Sequence, residues 1–185
     1  FRSTPIDTID QSSINVFFDD KPPERPVLEV ILGTLGVSKV EPPLVIPPNA
    51  IDTFKTEWKV PFDMSVLTVN PHMHLLGKSL KAYAVTPTGD TIRLIYIPEW
   101  NFRWQFFYTF PHIVKIPKKS IISVYASFDN TENNPENPFH PPRTIRERKG
   151  SMGTTDEMFQ FIITYLPYET GDEQISLDPK HTINE

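Results

Sequence analysis

The chain contains no cysteine, which excludes a disulfide framework and any metal site built on thiolates. Positive charge is also in short supply. At a net charge of −5 nothing electrostatic draws a polyanion, so nucleic acid is not an expected partner. The one concentrated basic run, Arg143, Arg146, Arg148 and Lys149, reads as a solvated loop, the other reading being a patch for phosphate or acidic groups. No apolar run reaches the roughly 18 residues a membrane-spanning helix needs, and no phosphate-cradling glycine loop, dinucleotide fingerprint or serine-nucleophile elbow occurs. Glycine is sparse, at 7 residues.

What is plentiful is proline, 20 residues, within a chain of 185 that is 38% hydrophobic and holds 13 phenylalanines. That length suits one sandwich with an aromatic-rich core. Each proline inside a helix would cost about 3 kcal/mol, whereas loops, strand ends and sheet edges accept it. The chain is therefore expected to be all-β. Apolar stretches recur every ten to fifteen residues between Pro-rich or Asn/Asp-rich breaks, the rhythm of a sandwich or barrel. Strands are expected at 14–18, 27–32, 53–60, 65–70, 79–86, 91–97, 106–110, 121–128 and 158–165. Between the fifth and sixth, Pro87-Thr88-Gly89-Asp90 has the composition of a hairpin turn. Residues 130–153 are long, Pro- and Asn-rich and free of strand signal, so they form either a functional or a loosely ordered loop. Residues 46–168 are taken as the sandwich domain. Residues 1–45 are read as N-terminal strands and a Pro-rich lead-in, the end of a preceding domain or linker packed on it, and 169–185 as a C-terminal tail.

The strongest local signal is Pro71-His72-Met73-His74-Leu75-Leu76-Gly77-Lys78. On an extended strand residues i and i+2 share a face, about 6.6 Å apart, so His72 and His74 can converge on one metal ion while Met73 turns away. Packed or surface histidines look the same in sequence. A second segment, Gly153 through Asp156-Glu157-Met158 to Phe161, enters an apolar strand through a carboxylate-bearing approach. Met158 alone reads as core filler. Taken with the histidines it reads differently: a thioether is a soft ligand that selects copper, and imidazole serves both oxidation states. Asp156 and Glu157 either anchor that approach or are solvated. Gly77 reads as a backbone requirement, Lys78 as a solvated neighbour, and Trp104, Gln105 and Tyr108 as core and wall residues. His112 and His140 read as surface histidines rather than auxiliary ligands; Met152 competes with Met158 but lies outside the strand, and His181 has no assigned role.

In order and spacing, the His72-Met73-His74-Leu75-Leu76-Gly77-Lys78 motif, the strand Trp104-Gln105-Phe106-Phe107-Tyr108, the stretch from Tyr125 to Asp129-Asn130, the loop Asn134-Pro135-Glu136-Asn137-Pro138 and the run from Asp156-Glu157-Met158 to Tyr165 resemble the C-terminal domain of the copper type II, ascorbate-dependent monooxygenases. This family includes peptidylglycine alpha-hydroxylating and dopamine beta-monooxygenases, and the likeness is greatest to its bacterial branch. It covers about residues 46 to 168. The resemblance implies a jelly-roll-like β-sandwich in which His72, His74 and Met158 hold the oxygen-binding copper, with no catalytic residue beyond the metal ligands. It further implies ascorbate as reductant, a preceding domain with a three-histidine copper that supplies an electron, and hydroxylation of a C–H bond of a small-molecule or peptide substrate by O2.

Some positions depart from the family. Where the peptide-amidating enzyme has Arg before the first histidine this chain has Asn70, where it has Tyr after the methionine it has Ile162, and a cysteine position is Phe159. Peptide amidation is therefore not expected, and the substrate-binding residues are unknown. Phe1-Arg2-Ser3 resembles the end of the preceding domain just past its last ligand. With no leader at Phe1, the chain reads as a mature or excised fragment, inactive without the upstream copper domain. Family members work outside the cytoplasm, and the lack of cysteine and of glycosylation sequons leans toward a bacterial periplasm. The alternatives are a noncatalytic β-sandwich binding module and a copper-carrying domain.

Overall fold

The computed structural model of the chain describes residues 9, 11–18, 20–147 and 153–178. Phe1, Arg2, Ser3, Arg148, Lys149, Met152 and His181 lie outside the described residues. Eleven strands follow one another: β1 (Leu28–Gly33), β2 (Val40–Glu41), β3 (Val45–Ile46), β4 (Ile51–Lys59), β5 (Met64–Met73), β6 (Gly77–Val85), β7 (Thr91–Ile97), β8 (Tyr108–Ile116), β9 (Ile121–Asp129), β10 (Ile145–Arg146) and β11 (Phe159–Pro167). Among the described residues one 3-10 turn, Asp172–Gln174, follows them. The protein is all-β, and among the described residues no helix is long and apolar enough to cross a membrane.

Two antiparallel sheets form a sandwich. One has the order β1-β11-β5-β8 and the other β2-β4-β9-β6-β7, with β10 and β3 paired beside them. Eight strands have six residues or more. Numbered among themselves, these run 1-8-3-6 in the first sheet and 2-7-4-5 in the second, the strand order of a jelly roll with its two Greek keys. Because β1 pairs along its whole length with β11 and β2 with β4, the sandwich begins upstream of residue 46. The hairpin at Pro87-Thr88-Gly89-Asp90 forms as the sequence suggests, with Gly89 at φ 93° and Thr86 and Asp90 closing it by a backbone bond of 2.9 Å.

Period-2 alternation places the core. Ile122, Val124, Ala126 and Phe128 of β9, Leu80, Ala82 and Ala84 of β6, and Phe159, Phe161 and Ile163 of β11 all point inward and are buried. Phe128 stands edge-on to Phe54 in its own sheet at 5.7 Å and to Phe159 of the facing sheet at 6.4 Å, so one ring joins both layers. Asparagine amides tie down the loop after β9. Buried Asn130 donates to the Ile46, Pro47 and Arg143 carbonyls, and buried Asn137 donates to Asn130 Oδ1. Arg143 of the basic run stacks over Phe139, 3.5 Å from its ring centroid.

Two expectations need correction. Residues 14–18 carry no strand, and Ile14, Phe17 and Phe18 are exposed: an apolar run becomes a strand only where a sheet edge pairs with it. The segment after Tyr168 is also tied down at its start. Buried Asp172 accepts a forked pair of hydrogen bonds from Arg25 at 2.8 and 2.9 Å and one from buried Ser65 at 2.6 Å. These donors, Arg25 foremost, hold the Asp172 carboxyl well below the usual carboxylate range.

Two outcomes follow. Replacing Phe128 with Ala should cost about 3–5 kcal/mol, read as a lower urea midpoint at unchanged slope. A folded-state pKa below the unfolded one stabilises the fold above the unfolded value of about 4, and the contribution is lost as pH falls toward the folded value. The gap in melting temperature between wild type and Asp172→Asn should therefore be full at pH 7 and shrink as the pH drops below about 4.

Candidate metal centre

The histidine pair stands where β5 leaves the body of its sheet. β5 pairs with β8 only as far as Val69, opposite Tyr108, while its pairing with β11 continues to Met73, opposite Phe159. Beyond Val69 the flank toward β8 has no strand pairing, although Gln105 from the segment before β8 reaches His72 across it. Backbone N–H groups alternate sides along a strand, and His74 donates toward the β11 side, to Glu157. Pro71, three residues back, therefore turns its missing donor to the unpaired flank, where a sheet tolerates proline. The strand thus runs past the expected 65–70 and includes His72.

Register assigns the faces. Met73 and Phe159 oppose each other and are fully buried in the core, so their neighbours take the outer face. His72 is directly opposite Gln160, and one step further the same register sets Met158 opposite His74. Directly opposed residues share a face, so His72, His74 and Met158 belong to one side of the sheet. The two imidazoles stand edge-to-face with centroids 5.0 Å apart. Met158 is buried, 3% exposed, and stands one step beyond the last pair that the histidine strand makes with β11.

Both rings are held by their Nδ1 atoms. Nδ1 of His72 lies 2.5 Å from Gln105 Oε1, and the Gln105 amide nitrogen donates to the Phe102 carbonyl at 2.7 Å. That second bond identifies the atom facing His72 as the oxygen, so His72 Nδ1 is the donor. Nδ1 of His74 donates to the Asp156 carbonyl at 2.8 Å. In each neutral ring the proton is therefore on Nδ1 and the Nε2 lone pair is left for a ligand, the arrangement seen around metal-binding imidazoles. Burial lowers the pKa of His74, the Asp156 carbonyl opposing it, which favours the neutral, ligating form. Phe102 closes one side, edge-to-face with His74 at 5.9 Å.

Glu157 joins the two segments. Its buried carboxyl accepts the backbone N–H of His74 at 2.9 Å and of Leu76 at 2.7 Å, and that of Met158 at 3.3 Å. Burial pushes this carboxyl up to about 8, against the pull of the three N–H groups. The side chain is thus an anchor and not a solvated charge. Gly77 is required for a different reason from the one expected. A Cβ there would lie 2.5 Å from Trp100 Cδ1, and Trp100 Nε1 donates to the His74 carbonyl at 3.2 Å, so glycine lets the indole brace the histidine turn. Lys78 pairs with Asp129 at 2.9 Å.

The remaining candidates separate. His112 on β8 and His140 in the loop are exposed, and among the described residues no three His, Asp or Glu side chains gather as they would around a metal. Asn70 and Ile162 oppose each other on the same face. Trp104 is no core residue; it is 61% exposed and leans on Phe106 at 4.6 Å. Gln105, expected as a wall residue, orients His72. A polar residue in an otherwise aromatic run was its only signal. The chain matches no family model, and no curated protein matches it.

Glu157→Ala would leave three backbone donors without their acceptor, at least two of them buried. It should cost on the order of 3 kcal/mol, with Glu157→Gln milder, as read by denaturant titration. Long-range nitrogen–proton spectra at pH 7.5 should show His74 as the Nδ1–H tautomer; an Nε2–H pattern would contradict the assignment.

Proposed function

We propose that this chain is the oxygen-activating copper domain of an ascorbate-dependent monooxygenase that hydroxylates a C–H bond of its substrate. What supports the reading is a pair of imidazoles whose Nδ1 atoms are bonded so that Nε2 is left for a ligand, with a buried methionine one register step away. Two borderline ligands and one soft ligand form a set that suits copper in both oxidation states better than zinc or a hard cation. Copper bound at this set would supply the one-electron chemistry that turns O2 into a hydroxylating agent, with ascorbate as the ultimate reductant.

The chain's own contribution is positional. Gln105 and the Asp156 carbonyl fix ring orientation and tautomer, Glu157 ties the histidine turn to the methionine, and Phe102 and Trp100 limit water around His74. No basic side chain occupies the Asn70–Ile162 pair beside the site, which supports a substrate not recognised there through a carboxylate. The further electron would come from the separate copper domain that the resemblance implies; the described residues gather no cluster of three His, Cys, Asp or Glu side chains. Such an enzyme would work outside the cytoplasm, as the resemblance implies.

Copper titration tests the proposal. Wild type should take up one Cu(I) against a competing chelator, with both sulfur and nitrogen scatterers in its X-ray absorption spectrum. His72→Ala/His74→Ala should lose that uptake, Met158→Leu should weaken Cu(I) more than Cu(II), and Gln105→Ala should cost about 10–100-fold in affinity at little cost in stability. Equal and weak uptake by wild type and the double-histidine variant would sink the metal reading. Tight uptake with no ascorbate-dependent oxygen consumption by the copper-loaded protein joined to its electron-donating domain would reduce it to copper carriage.

A further inference from the structure

The outer face of the second sheet has a composition that the metal centre does not explain. Cross-strand register orders its side chains in rows. Arg93 of β7 opposes Tyr83 of β6, which opposes Ser123 of β9, which opposes Glu57 of β4. In the next row Tyr96, Lys81, Tyr125 and Lys55 follow in the same strand order, and in the third Ser79, Ser127 and Thr53. These are the outward positions of strands whose inward positions form the core. An outward sheet face needs only to be polar. This one carries three tyrosines and three cations.

The cations are unevenly neutralised. Lys55 pairs with Glu57 at 2.7 Å. Among the described residues neither Lys81 nor Arg93 has a carboxylate within ion-pair distance. Lys81 instead sits over the Tyr125 ring, 5.1 Å from its centroid. Tyr83 and Tyr125 stack at 6.2 Å, and Tyr96 projects with 70% of its surface exposed. A hollow of about 280 Å³ lies between Tyr96 and Tyr125, lined also by Lys81, Thr53, Ser79 and Ser127. In a protein of net charge −5, two uncompensated cations on a flat tyrosine-bearing face form a local reversal of sign.

We infer that this face binds an anionic polysaccharide, with uronate carboxylates meeting Lys81 and Arg93 and a sugar ring lying against Tyr96. Sugar rings offer C–H faces to aromatic rings and hydroxyls to short polar side chains, and the row of Ser79, Ser127 and Thr53 supplies the latter beside the tyrosines. Tyr96 and Tyr125 stand on strands two apart, roughly 10 Å, the span of about two linked pyranose rings. Arginine and lysine supply the charge complement, which strengthens at low salt. The site is on the sheet opposite the metal-bearing one and does not depend on copper.

Affinity electrophoresis of the chain in gels containing polygalacturonate, dextran or polyglutamate tests this. Polygalacturonate should retard the wild type at low salt and dextran should not. Lys81→Ala/Arg93→Ala should abolish the retardation, and Tyr96→Ala should weaken it at least tenfold, all three positions being exposed or half-exposed so that unchanged melting confirms an intact fold. No retardation by polygalacturonate would overturn the inference. So would equal retardation by polyglutamate with Tyr96→Ala unaffected, since charge alone would then explain the binding.

Discussion

The pairing register of β5 against β11 is the constraint on which the rest of this molecule depends. It buries Met73 opposite Phe159 and by the same step sets His72 on the other face, with His74 and Met158 one position beyond the pairing. Side chains alternate with a period of two, so a slip by one residue would exchange the two sets. The same aromatic core that stabilises the sandwich therefore holds the histidine side of the sheet in place. Phe159 packs against Phe128 of the opposite layer, and that contact makes the alternative register expensive.

Around that register the polar groups are arranged so that few are left to choose. Glu157 takes three backbone donors and each ring nitrogen Nδ1 has one acceptor. What remains uncommitted is the pair of Nε2 atoms and the Met158 sulfur. Side chains prepared in this way would lose little conformational freedom on taking up the proposed ion, because they are oriented beforehand.

Much of this was legible from residue order alone. Alternation in 79–86 and 121–128 identified β6 and β9, and the His72-x-His74 spacing identified a shared face. The apolar run at 14–18 misled, because strand formation depends on a partner that no local pattern reveals. The unpaired flank beside Pro71 was also invisible: it arises where β8 stops, a property of another strand. The role of Gln105 depends on a loop folding back by some thirty residues, and that of Glu157 on the depth at which its carboxyl comes to rest. Both are tertiary facts. Trp104 shows the same limit from the other side, since an aromatic residue beside a strand reads as core until the sheet is seen to end before it.

Pro71 has an effect that reaches beyond its own strand. With no amide hydrogen there, the free margin of the histidine-bearing segment is a poor template for a strand from a neighbouring molecule, the usual route by which unpaired sheet margins aggregate. The stretch of strand that bears the histidines is thereby made unreceptive to a further strand by the chemistry of its own backbone.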